Sequence, residues 1–143
     1  MKRDHCSIRT NVEFVMRDRS GRVTDRWRIH NTTKTAAKVG AADQLLDAPA
    51  LGVPTHLAIG TATPQAATLG TEVYRNPLTS KERSGAVITM VADFAAGQGT
   101  GDITEAGVFD ANSAGSMWLS SSFTARSKTS VKSLQVTWTL TFA

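Results

Sequence analysis

The nine residues Leu134-Gln135-Val136-Thr137-Trp138-Thr139-Leu140-Thr141-Phe142 decide the fold class. Leu134, Val136, Trp138, Leu140 and Phe142 recur at every second position. Gln135, Thr137, Thr139 and Thr141 fill the places between. A β-strand sends successive side chains to opposite faces, so this period of two predicts a strand with one buried and one polar face. Slipping it by one residue would expose all five apolar side chains, so its register is strongly specified. The Gln/Thr row is expected to be wet or to meet another subunit.

The same period appears at the other end of the chain. Ile8, Val12, Phe14 and Met16 share one parity across residues 7–17, with Arg9, Asn11, Glu13 and Arg17 on the other. Asp18-Arg19-Ser20-Gly21 supplies turn chemistry. Val23, Trp27 and Ile29 then continue opposite Arg22, Arg26 and Arg28, which predicts a β-hairpin over residues 7–30. Asn31-Thr32-Thr33 offers N-cap residues for one helix at about residues 34–47. Its stripe of Ala36, Ala37, Val39, Ala41, Ala42, Leu45 and Leu46 is expected to lie on a sheet. Further strands are predicted at residues 55–60, 72–75, 86–94, 103–109 and 117–123. The segment 86–94 is apolar on both faces and reads as a strand covered on two sides.

Together these segments predict a mainly β fold, an antiparallel sandwich or barrel of about seven or eight strands with one Ala-rich helix. The 143 residues suit a single domain, divided into a basic N-terminal hairpin (1–30) and a β core (31–143). No apolar run follows the charged start, so neither a signal peptide nor a membrane span is expected. A lone cysteine, Cys6, can form no internal disulfide.

Charge is uneven. Residues 1–34 hold nine Lys/Arg against four acids, a net of +5; residues 35–143 hold seven against eight, a net of −1. The basic residues alternate with apolar ones and have no aromatic stacking platform, which argues against nucleic acid and leaves a solvated hairpin or a dock for an acidic protein surface.

Chemistry is sparse. His5, His30 and His56 lack metal-ligand spacing, and no G-x-S-x-G elbow accompanies the serines. Gly97-Gln98-Gly99-Thr100-Gly101 lacks the ending of a P-loop and reads as a hairpin loop. Asp102, Glu105 and Asp110 depart from an EF-hand spacing. No catalytic, cofactor or metal residue is assigned, no cofactor is expected, and the protein reads as a non-enzyme. Glu105 is expected to anchor a loop by accepting backbone N–H bonds, and Glu72 to pair with Arg75 if that segment is helical. Trp118 is the first candidate for stacking a sugar ring. The expected interface residues are Arg9, Arg17, Arg22, Arg26 and Arg28 with Gln135, Thr137, Thr139 and Thr141.

The order of several short motifs adds a resemblance. Leu57-Ala58-Ile59-Gly60-Thr61 is followed by Leu69-Gly70-Thr71-Glu72-Val73-Tyr74-Arg75. Ile103-Thr104-Glu105-Ala106-Gly107-Val108-Phe109-Asp110 comes next, and Val136-Thr137-Trp138-Thr139-Leu140 closes the chain. Across roughly residues 29–142 this order resembles small virion proteins of tailed bacteriophages, of the tail-fibre or minor structural type. Residues 1–28 look like an addition to that pattern. The resemblance implies a structural component of the particle, made in the bacterial cytoplasm, at the tail fibre or baseplate. Capsid decoration and a carbohydrate-binding receptor module are the alternatives. Other virion proteins and further copies of the chain, as a trimer, are the implied partners; a membrane is not.

Overall fold

Alternation of apolar and polar residues builds most of the chain into strands. The computed structural model describes residues 7–31, 35–46 and 51–143. The elements are β1 (Ile8–Arg17), β2 (Val23–Asn31), α1 (Thr35–Asp43), β3 (His56–Gly60), β4 (Glu72–Pro77), β5 (Ser80–Ser84), β6 (Val87–Phe94), β7 (Gly101–Phe109), β8 (Met117–Lys128) and β9 (Ser133–Phe142). They form a five-stranded sheet in the order β2-β1-β9-β6-β5 and a four-stranded sheet in the order β4-β3-β7-β8. All pairings between these strands are antiparallel. The sheets face each other as a sandwich and do not close into a barrel.

The C-terminal strand β9 is the centre of the larger sheet. It pairs with β1 on one side and β6 on the other, so that Val12, Trp138 and Met90 lie abreast. Leu134, Val136, Trp138 and Leu140 are buried in the core with Val12, Phe14, Met16, Met90 and Phe94. The opposing sheet contributes Leu57, Ile59, Ile103, Val108 and Leu119. The N-terminal hairpin is therefore no appendage. Its strand β1 is a full member of the sheet, and Phe14 stacks on Trp27 with ring centroids 4.8 Å apart. Asp18 closes its turn by accepting from the backbone N–H of Ser20 and of Arg22, and Gly21 adopts φ +86°.

Three expectations need correction. The strand β5, Ser-Lys-Glu-Arg-Ser, was not predicted, because an exposed edge strand needs no apolar row. The segment 86–94 is not covered on both sides. Met90, Ala92 and Phe94 enter the core, whereas Asp93 is exposed and Val91 half-buried on the outer face. Residues 95–100 do not close a hairpin; they carry the chain from β6 in one sheet to β7 in the other.

The helix is also shorter than predicted, and its inward face is narrower. Thr32 and Thr33, two of the expected N-cap residues, and residues 47–50 at its far end lie outside the described residues. Ala37, Gly40 and Ala41 turn inward with the i, i+3, i+4 spacing of one helical face. Val39, Leu45 and Leu46 fall off that face and are 54%, 88% and 61% exposed. Helical propensity disfavours glycine, but Gly40 lies directly against the Trp118 ring. A Cβ there would stand 2.5–2.8 Å from three ring carbons, far inside van der Waals contact. Replacing Gly40 with Ala should gain about 1 kcal/mol from propensity alone. Overpacking against Trp118 is expected to cost about 1–3 kcal/mol, with the ring contacts at the upper end outweighing that gain, so Gly40→Ala should lower the thermal midpoint; a raised midpoint would contradict the packing.

Candidate interaction surface

The two sheets treat their outer faces differently. On the four-stranded sheet, Ala58, Leu69, Phe109 and Met117 form a second small core. Leu69 comes from the long connection between β3 and β4, which lies back over the sheet. Glu105, on β7, holds that connection in place. Its side chain is fully buried and accepts from the backbone N–H of Ala62 at 3.2 Å, Gly70 at 2.8 Å and Thr71 at 2.8 Å. A carboxylate has only acceptor sites, so it suits three converging donors. Gly60 lies opposite Glu105 in the β3–β7 pairing, and a side chain at Gly60 would collide with Glu105 Oε1. The expected anchoring role of Glu105 is the observed one.

Arg75 holds the next connection. Its guanidinium lies 3.7 Å from the Phe109 ring centroid. Nη1 donates to the carbonyls of Ala111 and Ala114, each at 2.9 Å, while Nε and Nη2 bind Glu72. The Glu72–Arg75 pair therefore exists, but on a strand and not on a helix. Asp110 accepts from Ser116 N at 2.6 Å and from Gly52 N at 3.2 Å, fixing the β7–β8 turn to residues before β3. Asp102 is exposed at the start of β7, so Asp102, Glu105 and Asp110 serve separate places.

Lys128 is the other buried charge, 1% exposed. Nζ donates to the carbonyls of Ala95 at 3.1 Å and Lys132 at 2.9 Å, joining two cross-sheet connections. Burial holds its ammonium below the ordinary lysine value of 10.5. Both carbonyl contacts and the desolvation describe a structural clamp.

Trp118 is not a surface platform. It is 5% exposed, its ring lies under Gly40, and Nε1 donates to the Gly52 carbonyl at 3.1 Å. It borders an apolar cavity of about 440 Å³ between α1 and the larger sheet. Its alternation with Met117 and Leu119 on a strand with three consecutive buried residues concealed this placement. His30 is exposed on β2, and His56 contacts Thr55 Oγ1 through Nδ1 at 2.8 Å. His5 and Cys6 lie outside the described residues. Among the described residues, no cluster of three or more His, Cys, Asp or Glu is arranged to hold a metal, and no helix is long and apolar enough to cross a membrane.

Among the described residues, no segment lies over the outer face of the larger sheet, where Gln135, Thr137, Thr139 and Thr141 are half-buried. Pairing brings most of the expected interface residues onto it. Thr139 stands between Asn11 and Thr89, Thr137 between Glu13 and Val91, Gln135 between Val15 and Asp93, and Thr141 between Arg9 and Val87. Arg26 and Arg28 extend the same rows on β2, beyond Val15 and Glu13. Arg17 closes the face beside Ser133. Arg22 alone stands apart, in the hairpin turn before β2. Arg28 Nη2 binds Glu13 Oε2 at 2.6 Å, and that hydrogen bond holds the Glu13 carboxyl below the usual carboxylate range. The contact is largely exposed, so it contributes little to stability.

Comparison with protein-family models, curated proteins and solved structures finds no match for this chain.

Two measurements check this geometry. Glu105→Gln keeps one oxygen to accept from Ala62 and Thr71 but sets an amide donor against the Gly70 N–H, and is expected to lower stability by about 1–3 kcal/mol in urea unfolding. Amide exchange of Ala62, Gly70 and Thr71 should accelerate with it; unchanged exchange would contradict the anchor. For Lys128, the unfolded chain binds more protons than the folded chain between the lowered folded pKa and 10.5. That contribution to stability therefore rises with pH through this window. Wild-type stability relative to Lys128→Met should increase as pH is raised from 7 toward 10, and a flat difference would refute the burial argument.

Proposed function

We propose that this protein is a non-catalytic structural subunit of a tailed-bacteriophage particle, associated with the tail fibre or baseplate. The motif order across residues 29–142 supports the phage assignment. The single structural observation that carries the assembly reading is the bare outer face of the five-stranded sheet. Short Thr, Val and Asn side chains occupy its middle, and a second protein surface can approach such a face closely. The opposite sheet face is already covered by the chain's own loop, so it does not compete for partners.

The buried and half-buried charged residues favour the same reading. Glu105, Arg75, Asp110 and Lys128 each hold loops through backbone atoms. Their chemistry is consumed in fixing shape. Capsid decoration is the second reading, favoured by the arginines that gather at the β1–β2 side of the bare face and suit an acidic capsid surface. A sugar-binding role through Trp118 loses its support, because that ring is enclosed.

The test is incorporation. In a lysate of cells producing the parent phage, the wild-type protein should sediment with particles, and gold-labelled antibody should mark tail or head. Thr139→Arg, placed at the centre of the bare face, should fold with an unchanged circular dichroism spectrum yet stay in the soluble fraction. A wild-type protein found only free of particles would overturn the proposal.

A further inference from the structure

The charge pattern across the outer face of the five-stranded sheet points to its occupant. On the β2 and β1 side stand Arg26, Arg28, Arg9 and Arg17, with Glu13 the one acid among them. On the β6 and β5 side the outward charges are Asp93 and Glu82. Lys81 and Arg83 pair with Met90 and Ile88 and leave on the other face of β5. The face is thus positive along one edge, negative along the other and neutral in the middle.

Two copies can bring this face together about a two-fold axis in either of two directions. An axis across the strands lays β2 on β2 and sets arginines against arginines. An axis along β9 lays β2 and β1 of each copy over β5 and β6 of the other. The second arrangement sets each arginine edge over the Glu82–Asp93 edge of its mate, and it does so twice by symmetry. Charge complementarity therefore selects it.

The residue rows point the same way. The row through Asn11 runs His30, Asn11, Thr139, Thr89, Glu82. Rotation about an axis over β9 reverses that row upon itself. Asn11 then faces Thr89 of the mate, Thr139 meets Thr139, and His30 meets Glu82. Five strands spaced about 4.8 Å apart and mostly eight or more residues long present roughly 600 Å² per copy. Twice that, about 1,200 Å², lies at the lower end of the range for specific complexes.

We propose that a second copy of this chain docks on the outer face of the five-stranded sheet, about a two-fold axis parallel to β9, as a face-to-face homodimer. This rests on the assembly reading of the face and replaces the trimer suggested by the sequence.

The experiment is a charge swap read by sedimentation equilibrium. Wild type should show twice the 15.3 kDa chain mass at micromolar concentration. One variant carries Arg26→Glu with Arg28→Glu; the other carries Glu82→Lys with Asp93→Lys. Each alone should dimerise at least tenfold more weakly, because both of its edges then repel. Mixed in equal amounts they should recover a dimer containing one of each, since every edge then faces its opposite. Asp93 accepts from Thr79 Oγ1 and Gln135 Nε2. Glu82→Lys alone is therefore the second variant should the double one fail to fold. A monomer at all concentrations, a trimer, or a dimer indifferent to the swaps would overturn the inference. A monomeric chain that still sediments with phage particles would overturn it and leave the virion reading standing.

Discussion

The register of β9 between β1 and β6 is the constraint on which the rest of the structure depends. Because the strand alternates strictly, one choice of register assigns every one of its residues. Leu134, Val136, Trp138 and Leu140 become the middle of the core, and Gln135, Thr137, Thr139 and Thr141 become the middle of the outer face. The neighbouring strands inherit the assignment through pairing. Val12 and Phe14 must then face inward with Trp138 and Val136, and Arg9 and Glu13 must face outward with Thr141 and Thr137. A shift of one residue would send Trp138 to solvent and the threonines into the core, exchanging both surfaces at once.

The second sheet solves a different problem. Its connections are long and irregular, and irregular backbone leaves N–H and C=O groups without ladder partners. Glu105 collects three of those N–H groups, Arg75 two carbonyls and Lys128 two more. Burying such charges is unfavourable unless hydrogen bonds satisfy them. Here the loops supply those bonds, and the loops in turn cover the sheet. The outcome is a sandwich with one face covered by its own loop and one over which no described segment lies.

Much of this was legible because it rests on period. The strands β1, β2 and β9 declare themselves through alternation, and the hairpin turn through Asp18 and Gly21. Glu105 was legible as an anchor because an acid inside an apolar strand needs donors. What stayed hidden is what period does not encode. The polar edge strand β5 has no apolar row to betray it. The helix stripe looked wide because alanine carries no strong preference for one face, and only the contact with Trp118 selects Ala37, Gly40 and Ala41. Trp118 itself was misplaced because its enclosure comes from Gly40 and Gly52, far away in sequence. The arginines of residues 9–28 were visible as a charge excess, but their gathering on one sheet edge opposite Glu82 and Asp93 emerges only once β5 is paired.

One strand therefore carries both halves of the proposal: β9 turns a dry row of Leu134, Val136, Trp138 and Leu140 to the core, and its Gln/Thr row is the proposed docking row. The most direct measurement is methyl NMR with a soluble paramagnetic agent, recorded at low and high protein concentration. The methyls of Thr137 and Thr139 should be strongly relaxed at low concentration and protected at high concentration, while those of Val136 and Leu140 stay protected throughout. Relaxation of Val136 as strong as that of Thr137, or threonine methyls indifferent to concentration, would contradict it.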